Sequence, residues 1–525
     1  MALKEMIATK FDLKMLSKNP RQKSALLINP PVYDTQYWAE WSQPYGILRI
    51  GALLKKHHYK RIELFDFMET DETGKVHRHK INPEESYEER DNPTKPIRPY
   101  EITKNGEVLE LYKYHFGKTW PEFGAWLQEQ GLTAKNPPDE IYISAIMSYW
   151  WESARDLILR LRRRFGQKST IILGGIYPTL VPEHAAEHTA ADIVVAGEVE
   201  EANGLWTDLS FYRRAPQYAI VTPSRGCPFS CAYCASKTLN GGKQVVRYRP
   251  VDDIIAEMKY KYETYGIRDF AFYADFLLWR FEENFMKVLE RIVREKLPFR
   301  LYAPEGLDVS LLSRSQKLVD LLKRANFQKI YLPCESIDDQ LLRSMDRRHV
   351  RLEHLVRAAK MCEKAGFRLR NLEVNSFLLY GLPGEKIGHV VKTIIFVSEI
   401  VGSIIPMLFT PVPSTAIYNR YFSYFQKQGW DRDLHMLNGK LYPFLKMNEG
   451  SISDYVDLQR LMFMLNSHYR SKSFQLFGDT LVSTSFRENL NNGFSAVVDK
   501  YKQIGFLKPT EVLKDKEATT PEEET

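Results

Sequence analysis

Short apolar runs alternate with longer amphipathic stretches from Ser24 to Pro411, and that rhythm confines the chain to parallel α/β architecture. The first series is ALLIN (25–29), RIELFDF (61–67), EIYISAIM (140–147), TIILGG (170–175) and ADIVVAG (191–197). Two prolines stop the first run, and the next stretch places Ile47, Ile50, Leu53 and Leu54 on one helical face. Helical stretches at 153–165 and 182–188 separate later runs, so five strands form a doubly wound, Rossmann-like sheet. The second series is YAIVTP (218–223), DFAFYAD (269–275), FRLYAP (299–304), KIYLPCES (329–336), EVNSFLLYG (373–381) and IIPMLFTP (404–411). Six βα units fall short of the eight that close a barrel, so a partial (β/α)6 barrel is expected. Beyond about Asn419 the pattern turns helical and aromatic.

The expected organisation is an N-terminal extension (1–23), a sheet domain (24–205), a partial barrel (215–418), a mostly helical region (419–510) and a disordered tail (511–525). An insertion (69–138) interrupts the sheet domain. It begins with an irregular, charged stretch to Pro99 and continues with a hairpin turning at Asn105-Gly106 and a helix at 120–127. A net charge of 73 − 66 = +7 over 525 residues is mild, and no dense Lys/Arg run stands out, so no nucleic-acid partner is expected. The longest apolar runs are far below the roughly 18 residues of a membrane span. With no apolar signal segment and only five cysteines, a cytoplasmic address follows.

Three of those cysteines, Cys227, Cys231 and Cys234, fall within SRGCPFSCAYCASK directly after the first barrel strand. Thiolates this close bind a soft metal. Zinc would want a fourth Cys or His nearby, and none occurs between His188 and Cys227 or between Cys234 and Cys334. Three ligands on one loop suit a [4Fe–4S] cluster with one iron left open; a structural zinc site is the alternative.

CxxxCxxC, with Tyr233 before the third cysteine, resembles the signature of the radical S-adenosylmethionine (radical SAM) superfamily. The resemblance implies that the open iron chelates S-adenosylmethionine (SAM) and that one electron from the cluster cleaves it to a 5′-deoxyadenosyl radical. It further implies an electron donor of the flavodoxin or ferredoxin type and a small-molecule or peptide substrate. FYADF is similar to the turn where an acid meets the methionyl amine, a role that falls to Asp275. LPCES resembles the family's GxES turn, which places Glu335 and Ser336 beside SAM, with Cys334 in an unusual position. The bland alternatives are that Asp275 caps the next helix and that Glu335 pairs with an arginine. YGLPGE (380–385) and PVPST (411–415, Ser414 in place of Gly) are similar to later turns of the same barrel.

The N-terminal sheet resembles the cobalamin-binding domain that precedes many such barrels, through NPP (29–31), LGGIYPTLVPEHA and GEVEEA. That resemblance implies cobalamin beside Asn29, Pro30, Ser144, Ser148, Gly174, Gly175, Gly197 and Glu198. Gly174 and Gly175 would let a flat ring approach the backbone; the alternative is a sheet kept only for packing. The loop NPPVYDTQYW holds no histidine, and Asp433-Leu-His435 lies beyond the barrel, so no imidazole on cobalt is expected. His77 and His79 read as solvated, Cys362 as packing, Cys334 as structural filling, and SYWW (148–151) as core or as a wall over a ring.

Together these readings imply a cobalamin-dependent radical SAM enzyme that methylates an unactivated carbon. The alternative is radical cyclisation, rearrangement or ring contraction without methyl transfer. A tRNA methylthiotransferase would carry three further cysteines before Cys227, where this chain has none. A non-catalytic metal-binding module is the remaining alternative.

Overall fold

The computed structural model describes residues 3–13, 19–37, 41–69, 98–369 and 373–471. The charged stretch 70–97 with His77 and His79, residues 472–510 of the C-terminal region and the tail from 511 lie outside them. The chain divides into two compact units. Unit 1 is Met1–Ile102, Glu110–Ala271 and Thr410–Leu441; unit 2 is Thr103–Leu109, Phe272–Phe409 and Tyr442–Thr525.

Unit 1 is built on a six-stranded parallel sheet. Its strands are β1 (Ile7–Ala8), β2 (Ser24–Asn29), β4 (Arg61–Asp66), β7 (Glu140–Ser144), β8 (Thr170–Gly174) and β9 (Ile193–Val195), in the order β1-β9-β8-β7-β2-β4. The five expected strands are present, and β1 adds a sixth from the N-terminal extension; two residues are too few to show a period in sequence. Leu26, Leu27, Ile28, Ile141, Leu173 and Val194 are all fully buried, as the unbroken apolar runs of a two-sided parallel sheet require. Register is fixed at the start of β2, where Asp139 accepts hydrogen bonds from the Ser24 backbone N–H (2.8 Å) and hydroxyl (2.7 Å).

A second sheet in the order β3-β6-β5 uses β3 (Val32–Asp34), β5 (Arg98–Lys104) and β6 (Glu107–Phe116). The hairpin turns at Asn105 (φ 52°) and Gly106 (φ 83°), the left-handed pair that the Asn-Gly sequence predicts. β3 and β6 pair antiparallel with Tyr33 opposite His115, so the loop that follows β2 becomes a strand of this sheet.

The second series opens in unit 1 with β10 (Tyr218–Val221). The short antiparallel pair β11 (Ser224–Arg225) and β12 (Arg247–Tyr248) follows, and then β13 (Asp269–Phe272), a neighbour of β10. Unit 2 holds β14 (Arg300–Tyr302) and a parallel sheet of β15 (Ile330–Glu335), β16 (Val374–Tyr380) and β17 (Ser403–Leu408). The edge of β17 is covered by the helix Ile452–Ser471, whose Asn466 amide pairs with both the N–H and the C=O of Ile404 at 2.8 Å. A side-chain amide thus completes the ladder and blunts a sheet edge.

Candidate functional site

In unit 1 the cysteine loop grows out of β11. Cys227 and Cys231 are half-buried and Cys234 is exposed, and the Cys234 N–H donates to the Cys231 carbonyl at 3.0 Å. Gly226, at φ 96°, starts the loop; a Cβ there would stand 2.0 Å from the Val245 carbonyl oxygen, so only glycine fits. The Ile417 N–H binds the Ala232 carbonyl (2.9 Å) and Thr238 donates to the Ser414 carbonyl (3.2 Å), fastening the loop to the PVPST turn. Ser414 itself holds φ 65°, the left-handed conformation that explains a glycine in the related motif. Tyr233 is half-buried within the loop. Among the described residues no three His, Cys, Asp or Glu side chains converge as the ligands of one ion. A cluster makes a different demand, one thiolate for each of three irons.

The residues expected at a cobalamin lie along the carboxyl edge of the main sheet. Asn29 ends β2 with Pro30 next, Ser144 ends β7 with Ser148 four residues on, Gly174 ends β8 with Gly175 next, and Gly197 and Glu198 follow β9. Several are already committed. The Asn29 amide donates to Asp66 at 2.7 Å, and burial pushes that carboxyl up. Gly175 has a packing reason of its own to be glycine. At φ 111° its missing Cβ would lie 2.3 Å from the Ala145 carbonyl oxygen, so its freedom serves the packing of two loops. Gly174 is different: a Cβ there would meet only Val195, at 3.9 Å; exposed Ile176 follows two residues on, and exposed Met147 comes three residues after Ser144, the β7 partner of Gly174. An open glycine flanked by exposed apolar side chains suits a flat ring with an apolar rim.

Glu198 has a role that sequence reasoning missed. Its carboxylate lies 3.2 Å from Arg225 and 2.8 Å from Arg247, which face each other across β11 and β12. Burial opposes ionisation, but the two guanidiniums outweigh it and hold the carboxyl below its usual range. The end of β9 is therefore clamped to the base of the cysteine loop.

The segment around His435 belongs to unit 1, packed against the loop after β2 rather than lying apart from it. Fully buried Asp34 accepts from Asn438 (3.0 Å), Lys440 (2.8 Å) and the Trp150 indole (2.8 Å). His435 donates through Nδ1 to the Tyr149 carbonyl at 2.7 Å and stacks on Tyr100; its buried Nε2 has no partner among the described residues. Burial and nearby Lys113 keep this ring neutral.

In unit 2 the strand ends carry Asp275, Glu305, Glu335 and Ser336. Glu335 adopts φ 60° at a register shift in β15, and its carboxylate lies 3.2 Å from Arg347, the pairing anticipated as the bland alternative. The Ser336 N–H reaches back to the Cys334 carbonyl at 2.8 Å, closing a tight turn in which the Cys334 thiol is buried and donates to the Ser336 carbonyl (3.7 Å). Asp308 pairs with His349 at 3.3 Å. Asp275 is exposed. Glu305, Arg347 and His349 sit in no recognisable motif, so their sequence offered no signal.

Residues 221–397 match the model of the radical SAM superfamily, so the chain carries a radical SAM domain. A bacteriochlorophyllide d C-12(1)-methyltransferase of Chlorobaculum tepidum is 23% identical over 337 residues, 57% of this chain and 70% of that protein. A tRNA-2-methylthio-N(6)-dimethylallyladenosine synthase of Sulfurihydrogenibium is 25% identical over 247 residues, 45% of this chain and 53% of its own length. The chain thus spans about half of one relative and about seven tenths of the other. In fold, it is similar to the radical SAM methyltransferase TsrM of Kitasatospora setae, solved with cobalamin and a [4Fe-4S] cluster. That likeness has a TM-score of 0.53 and 13% identity, and covers 77% of this chain and 75% of TsrM. Among the described residues no helix is long and apolar enough to cross a membrane.

Proposed function

We propose that this protein is a cobalamin-dependent radical SAM enzyme that methylates an unactivated carbon of a small molecule or peptide. The observation that carries the reading is the cysteine loop clamped, through Glu198, Arg225 and Arg247, to the carboxyl edge of a Rossmann-like sheet. The TsrM-like fold and the bacteriochlorophyllide methyltransferase relative support it. In this reading residues 24–205 are the cobalamin domain and residues 215–418 the partial barrel.

When bound, the cluster supplies the electron that cleaves SAM, and cobalamin supplies a methyl carrier. The chain's own residues do the rest. Cys227, Cys231 and Cys234 would hold the cluster and leave one iron for SAM. Asp275 meets the methionyl ammonium, and Glu335 is braced for its part by Arg347. Open Gly174, with Met147 and Ile176, receives the corrin. We expect no imidazole on cobalt; the candidate that would overturn this is the Nε2 of His435, which has no partner among the described residues.

The test is anaerobic reconstitution with cobalamin, reduction, and incubation with SAM. The wild-type protein should release 5′-deoxyadenosine and retain cobalamin, and changing all three cysteines to Ala should abolish the nucleoside and the cluster absorption. Retention of the cluster by the triple variant, or a wild type that yields no deoxyadenosine, would refute the reading.

A further inference from the structure

Residues 410–441 of unit 1 touch, besides the cysteine loop, the ends of three neighbouring strands of the main sheet. In the helical stretch after β8, the Leu180 carbonyl accepts from the Ser414 hydroxyl at 2.7 Å. A ring N–H of His184, from the same stretch, donates to the Arg432 carbonyl at 3.0 Å. After β7, the Tyr149 carbonyl accepts from His435 at 2.7 Å. After β2, buried Asp34 accepts from Asn438 at 3.0 Å and from Lys440 at 2.8 Å. β8, β7 and β2 lie side by side in the sheet, and open Gly174 is the register partner of Ser144. The fasteners therefore bracket the strand ends where the corrin is expected. Leu434, His435, Leu437 and Asn438 are buried, and Lys440 keeps 26% of its side chain exposed where Asp34 has none. Two left-handed residues, Gly429 at φ 72° and Tyr442 at φ 51°, flank the fastened stretch and supply the points about which it can swing.

We propose that residues 430–441 form a strap that lifts to admit cobalamin, and that the Lys440–Asp34 ion pair is its latch. This inference rests on the function proposed above. With no imidazole expected on cobalt, no bond from the chain to the metal anchors the cofactor, and its retention depends on enclosure. Closed, the strap supplies buried Asp34 with two of its partners, and the Trp150 indole supplies another. Lifted, the carboxylate and the ammonium both return to water, which solvates each of them. Without Lys440 the closed state would hold a buried carboxylate that has lost its counter-charge, so the balance moves toward the open state. A gate of this kind is distinguishable from a contact. It closes alike over the empty and the filled site, so it slows entry and exit together and leaves the equilibrium affinity in place.

The experiment measures both rates on the cluster-loaded protein, with radiolabelled hydroxocobalamin for uptake and an unlabelled excess to follow release. Lys440→Met should speed uptake and release together, each by at least about tenfold, the effect of losing one hydrogen bond to a charged group. Its Kd should stay within about threefold of wild type, because a gate acts on both directions. Asn438→Ala removes another partner of Asp34 from the same stretch and should move both rates the same way, which keeps the test alive should the first variant not fold. Faster release with unchanged uptake would make Lys440 a support of the bound cofactor and overturn the strap. Wild-type rates in either folded variant would overturn it equally, and both results leave the proposed function standing. A wild type that takes up no cobalamin sinks the strap and the proposed function together.

Discussion

At the scale of single residues, Gly226 has the narrowest tolerance. A methyl group there would collide with the Val245 backbone at 2.0 Å and with the Asn240 amide at 2.4 Å, and the residue holds φ 96°. Strained left-handed backbone in a non-glycine residue costs on the order of 1–3 kcal/mol before any collision is counted. Gly226→Ala should therefore displace the loop that carries Cys227. We expect a folded protein by circular dichroism that takes up less than about half of the wild-type iron; full iron loading would show that the loop does not need this backbone. The cysteines themselves were legible because their spacing has few other uses. Glu198 was legible as a motif acid but not as a clamp, because its partners lie 27 and 49 residues downstream.

At the scale of elements, the helix Val251–Tyr265 is tied to unit 1 by buried charge rather than by an apolar stripe alone. Lys261, fully buried, reaches Glu257 and Thr207, each at 2.6 Å, and Glu257 also binds Arg249 at 2.7 Å. Burial lowers the Lys261 ammonium, and Glu257 opposes that shift by favouring the charged form. Removing the acid leaves two cations facing each other in the core, a change that typically costs about 3–5 kcal/mol. Glu257→Ala should lower the urea midpoint of unfolding accordingly, whereas a shift of less than about 1 kcal/mol would mean that water or Asp253 takes over the pairing. The period of apolar residues revealed this helix, yet it concealed the network, since Lys and Glu four residues apart read equally well as an exposed pair. Short elements escaped for a related reason. β1 spans two residues and β3 spans three, and both exist because a partner strand holds them.

At the scale of the whole molecule, metal content separates the two kinds of relative. The three cluster ligands proposed above are Cys227, Cys231 and Cys234; the remaining two cysteines, Cys334 and Cys362, are buried. Burial pushes the Cys362 thiol up to about 12, which disfavours the thiolate a metal needs. One cluster per chain follows, so anaerobic reconstitution should give about four irons. A count near eight would point to a second cluster and to methylthiotransferase chemistry. The alternation of apolar runs made the broad architecture legible, because strand and helix periods survive any tertiary arrangement. The packing of 434–441 on the loop after β2 was hidden, since nothing local in that segment announces a partner some 400 positions earlier, where Asp34 waits for Lys440.

The clamp between Glu198 and the two arginines also constrains how such proteins can be recombined. An exchange of sheet domains between relatives that cut the chain between 205 and 218 would separate the acid from Arg225 and Arg247, although all three serve one joint. Where the incoming domain lacks an acid at that position, two guanidiniums would be left facing each other across β11 and β12. Chimeras joined after Tyr248 should carry the joint intact, and the natural seam for transplanting the sheet therefore lies on the far side of the cysteines.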